Sequence, residues 1–121
     1  MKFLLPLSLL ALLATAPALA DCIAPNHTIK VPSGATATKD DMIAVNRELK
    51  TWNAEVSDYG SCLNLERDAA IAALGDKATD EQRNKVVKKY ADLYNNEVDK
   101  LTDVAGRFNN EVKIFKAKNP S

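Results

Sequence analysis

Few side chains in this sequence are able to do chemistry, and their spacing decides what they can do. His27 is the only histidine among 121 residues. It stands in a Pro-containing stretch with no second histidine and no acid at a ligand spacing. It therefore reads as an exposed loop residue rather than a base or a metal ligand. Cys22 and Cys62 lie 40 positions apart, which matches neither a redox Cys-x-x-Cys motif nor a zinc knuckle. Glu97 and Glu111 both interrupt one apolar column, but 14 positions of helix separate them by ~21 Å. They cannot flank one substrate bond, and their expected place is a helix flank with the carboxylates in solvent. Glu48 and Glu55 form an edge suited to weak, solvated ion pairs with Lys30, Lys100 or Arg107. Four glycines are too few and too scattered for a phosphate loop. The expectation is a protein that is not an enzyme, with no cofactor, no metal and no evident small-molecule substrate.

The elements that carry these residues follow from periodicity. Residues 21–38, with Pro25, Pro32 and Gly34, show no helical period and read as an extended arm with a turn near Pro32-Ser33-Gly34. Thr38, followed by Lys39-Asp40-Asp41, is an N-cap with acids where the helix dipole favours them. Met42, Val45, Leu49, Trp52, Val56, Tyr59 and Leu63 then alternate spacings of three and four, an unbroken heptad seam. Gly60 weakens that helix without ending it, and Gly75 suits the position just past its end.

Thr79-Asp80-Glu81-Gln82 opens a second helix with a capping box. Val87, Tyr94, Leu101, Phe108 and Phe115 recur every seven residues, with Ala91, Val98, Ala105 and Val112 beside them. Tyr90 and Val104 partly fill a third column. Asn119-Pro120 stops the helix. The fold class is all-α: helices over about 39–74 and 80–117 form a long antiparallel hairpin over residues 39–118. Pairing about the tight turn places Trp52 near Val98 and Leu101, Tyr59 near Tyr94, Leu63 near Tyr90 and Val45 near Phe108.

Residues 1–20 read as a signal peptide: a positive start at Lys2, a Leu-rich run to Ala14, and the small-x-small ending Ala18-Leu19-Ala20. The run is short for a membrane span. A lipid-modified cysteine is disfavoured because Asp21 separates Ala20 from Cys22. Cleavage after Ala20 leaves a product of periplasmic or secreted destination with no stable membrane anchor. That product carries 15 Lys/Arg against 16 Asp/Glu, a net charge of −1, which gives no support to a nucleic-acid surface. Asn26-His27-Thr28 fits a glycosylation triplet, an accidental match in a bacterial-looking protein.

In an oxidising compartment the two cysteines pair by default. The arm from Cys22 to Thr38 reaches at most ~53–58 Å, whereas Cys62 lies ~36 Å up helix 1. A Cys22–Cys62 disulfide is therefore expected to lash the arm back along helix 1. It would bring Ile23, Ile29 and Val31 over the groove between the helices.

The arm segments Cys22-Ile23-Ala24-Pro25 and Pro32 to Thr38, with Met42, Cys62-Leu63 and Phe108-Asn109, resemble a family of small periplasmic helical proteins of proteobacteria that lends no activity. Thr79-Asp80-Glu81-Gln82-Arg83 is similar to the Leu-Thr-x-x-Gln signature of the periplasmic Spy/CpxP chaperones, with Ala78 at the Leu position. The expected function is a non-enzymatic protein-binding module of the cell envelope: an adaptor, an inhibitor or a small chaperone-like protein. The alternative is a structural subunit of a helical assembly, and a carboxylate-based enzyme or metal-binding protein is a third, less favoured reading. The stripe of helix 2 is wider than one partner helix covers, so a protein partner or self-association is expected. Its candidate residues are Trp52, Tyr59, Tyr90, Tyr94, Asn95, Phe108 and Asn109, the two asparagines standing two heptads apart.

Overall fold

A computed structural model describes residues 21–121. The expected signal peptide and its cleavage point lie outside the described residues. Helix α1 runs Lys39–Leu74 and helix α2 runs Asp80–Lys118, packed against each other as an antiparallel hairpin behind an irregular arm, residues 21–38. The fold class read from the pattern is thus the one observed.

Local chemistry explains the boundaries. The Thr38 hydroxyl accepts from the Asp41 N–H at 3.1 Å, and the Asp41 carboxylate accepts from the Thr38 N–H at 2.8 Å. These bonds to Thr38 hold the Asp41 carboxyl below its ordinary range. Thr79 and Gln82 make the same reciprocal pair at the start of α2. Both satisfy amides that a helix start otherwise leaves without partners. Gly75 ends α1 at φ 78°, a left-handed conformation that glycine adopts without a Cβ penalty.

All seven seam residues of α1 are buried, from Met42 to Leu63. Met42, Val45, Leu49, Trp52 and Val56 pack against Phe108, Val98, Leu101, Val104, Ala105, Val112 and Phe115 of α2. Ile29, Val31 and Ala37 of the arm close this core from one side. The arm turns at Ser33, whose carbonyl accepts from the amides of Thr36 and Ala37. Gly34 is buried there against α2, where a Cβ would lie 2.0 Å from the Glu111 carbonyl oxygen. At its other end the Cys22–Cys62 disulfide bolts the arm to α1, with the two Cα atoms 5.8 Å apart. Ile23 departs from expectation: it is 88% exposed. The cystine holds its neighbour beside α1 on the solvent side, and only from Ile29 onward does the arm reach the groove.

Candidate functional site

The arm and the acids beneath it form one face of the hairpin. Each polar bond holding the arm to the helices ends on a carboxylate among the described residues. Glu66 accepts from the Cys22 N–H at 2.7 Å, Glu111 from the Gly34 N–H at 2.7 Å, and Glu55 bonds His27 Nε2. The His27 ring also stacks on Trp52, centroids 5.4 Å apart. His27 is therefore a structural anchor and not the exposed loop residue its isolation suggested. The missing signal was tertiary, since its acid partner lies 28 residues away.

Glu97 also overturns its expectation. It is 3% exposed, with one oxygen accepting from Lys100 Nζ at 2.7 Å and the other, Oε2, buried without a partner. The arm converts what would be a flank of two helices into an interior position. Glu111 is half-buried for the same reason. Burial and the nearby Glu97 and Glu66 carboxylates push the Tyr59 phenol up, opposed by Lys100. The cross-helix ion pairs foreseen for Lys100 and Arg107 are absent among the described residues. Lys100 pairs with Glu97 and Arg107 with Asp103, both within α2.

A cleft of about 270 Å³ lies among His27, Trp52, Glu97, Lys100 and Asp103. Its histidine and acids are engaged with one another or with basic neighbours, and its lining holds no hydroxyl or thiol nucleophile. Cys22, Cys62 and Glu66 bring ligand atoms within 4.8 Å of one another. The two sulfurs, however, are spent in the disulfide and offer no thiolate to a metal.

The opposite face is open. Beyond residue 57 it holds a groove of about 430 Å³ floored by Leu63, Val87, Ala91 and Tyr94 and rimmed by Ser57, Ser61, Asn64 and Asn95. Gly60 lets the Tyr94 ring lie against α1, and Tyr94 itself remains 38% exposed. A shallower hollow continues toward the open ends of the hairpin past Asn46, Lys50, Asn53, Leu101, Phe108 and Asn109. Of the residues foreseen as an interface, Tyr90, Tyr94, Asn95 and Asn109 border this open face. Trp52, Tyr59 and Phe108 are buried instead, at 3%, 7% and 4% exposure. The aromatic columns that read as surplus on a bare hairpin serve the core once helix and arm close over them.

The fold and site together define a two-helix hairpin with a strapped back and an open, amide-rimmed front. Compared with known proteins, the chain matches no family model, no curated protein and no solved structure. No helix among the described residues is long and apolar enough to cross a membrane.

Proposed function

We propose that the protein is a non-enzymatic protein-binding module of the bacterial cell envelope, exported by residues 1–20 and working as an adaptor, inhibitor or small chaperone. The carrying observation is the open groove at Gly60 and Tyr94, where a half-exposed aromatic and Val87, 43% exposed, stay uncovered. Contiguous apolar surface between polar rims is the usual mark of a protein contact. The disulfide is compatible with an oxidising compartment. The test is a photo-crosslinking amino acid placed at Asn95 or Asn109 on the front, and at Asp58 as a control beside the arm. Capture of one envelope protein from the front positions alone supports the reading. Equal capture from all three, or from none, ends it.

A structural subunit is the second reading, favoured by Leu65, Leu74 and Leu93, which stand exposed near the turn end. It requires a mass that grows with concentration in light scattering.

A further inference from the structure

The two faces differ in charge as well as in cover. On the strapped face stand Glu55, Glu66, Glu97 and Glu111, three of them holding the arm. On the open face, the column of α1 nearest the groove reads Lys39, Asn46, Asn53, Gly60, Arg67 at heptad spacing, and the next reads Ile43, Lys50, Ser57, Asn64, Ile71. The matching column of α2 opens on Glu81, which pairs with Lys85 in the first turn, and from there reads Lys88, Asn95, Thr102, Asn109, Lys116, beside the small or branched Ala91, Val98, Ala105 and Val112. From Lys88 to Lys116, and along both α1 columns, these positions hold no carboxylate. The nearest acids, Asp68, Asp92 and Asp99, sit one column further out, and the first two are held by Arg67 and Lys88. Lys39, Lys50 and Lys116 make no ion pair among the described residues.

A chain of net charge near zero has thus placed cations and uncharged amides around its open apolar groove. A second copy would bring to this face the same lysines and amides and no carboxylate from these positions to pair with Lys50. The geometry fits a third helix lying along the groove of the first two. The stretch from Asn46 to Arg67 spans ~32 Å of α1, enough for three heptads of a partner. Its apolar stripe would meet Leu63, Tyr94 and Leu101, and its flanks would meet lysine and amide.

We infer that the open face binds an amphipathic helix whose apolar stripe is flanked by Asp and Glu, completing a three-helix bundle. This rests on the protein-binding reading and specifies the partner's chemistry.

The probe is a synthetic helix of roughly four heptads with Leu at the stripe and Glu at both flanks, set against the same helix with Lys at the flanks. The oxidised protein should bind the Glu helix one to one, about ten-fold or more tighter than the Lys helix, with the difference shrinking in high salt. Asn53→Asp with Asn109→Asp, both exposed, should leave the helix content unchanged and erase or invert that preference. Equal binding of the two helices, binding of neither, a preference untouched by the double substitution, or a doubling of the protein's own mass through this face each overturns the inference. Front-specific crosslinks without a preference for the Glu helix would sink the inference alone. Loss of both would sink the binding module with it.

Discussion

The Tyr94 ring occupies the space a side chain at position 60 would need: a Cβ on Gly60 would lie 2.7 Å from Tyr94 Cε2. Glycine costs a helix interior about 1 kcal/mol relative to alanine, and here that cost sets the depth of the open groove. Gly60→Ala alone is expected to change stability little, because the propensity gain is offset by displacing the ring. In a Tyr94→Ala background the same substitution should stabilise by about 1 kcal/mol. Urea denaturation of the four proteins measures the difference, and equal effects in both backgrounds would refute the account.

Gly34 faces backbone rather than a movable ring. A Cβ there would meet the Glu111 carbonyl oxygen at 2.0 Å and the Phe115 nitrogen at 2.8 Å. Neither can step aside without unwinding α2, so Gly34→Ala must lift the arm and lose its bond to the Glu111 carboxylate. A loss of about 2–4 kcal/mol is expected, with the amides of residues 29–37 exchanging faster.

Reduction of the disulfide should cost ~4 kcal/mol on the chain-entropy model for a 40-residue loop. Most helix content should remain at low temperature, with a lower melting temperature. Thiol titration of the unfolded, unreduced protein should find no free thiol, and non-reducing peptide mapping should join Cys22 to Cys62 within one chain.

Glu97 buries a carboxylate with one oxygen unmatched, beside a Lys100 side chain that is 54% exposed. Removing the acid leaves the lysine free to solvate, so no buried charge is stranded. Glu97→Met is therefore expected to hold or raise stability at neutral pH, by up to about 1–2 kcal/mol. A loss above about 1 kcal/mol would show that the carboxylate makes a further essential contact.

The Tyr59 phenol, held above its ordinary value of 10.0, works in the opposite pH range. Because the native state keeps its proton where the unfolded chain loses it, stability is full below pH 10 and falls as pH climbs through the native titration. Tyr59→Phe should remove that alkaline slope. Glu97→Met should reduce it, since Glu97 is one of the charges raising the phenol.

Periodicity made the helices and the seam legible because each α1 seam residue repeats a direction set by backbone geometry. The disulfide was legible from the expected export to an oxidising compartment together with the reach of the arm. The surroundings of His27 and Glu97 were not. An aperiodic arm has no rule for where its side chains point, and Glu97 is buried where that arm, at Pro25 to His27, meets Trp52 of α1. Trp52, Tyr59 and Phe108 were rightly set in the apolar columns but wrongly offered as an interface, since two-helix reasoning left apolar area over that the arm takes up. Asn95 and Asn109 were visible as a pair two heptads apart, but the charge difference between the faces emerged only once the arm's side was known.

The covalent ring closed by Cys22 and Cys62 contains the arm and the first two-thirds of α1, and nothing of α2. Both cysteines precede α2 in the chain, so the ring is able to form first and α2 to dock onto a surface already drawn taut. Under a pull at the C-terminus the reverse holds. Everything beyond Cys62 can peel away, while the ring caps the extension and keeps a template on which the released helix re-zips.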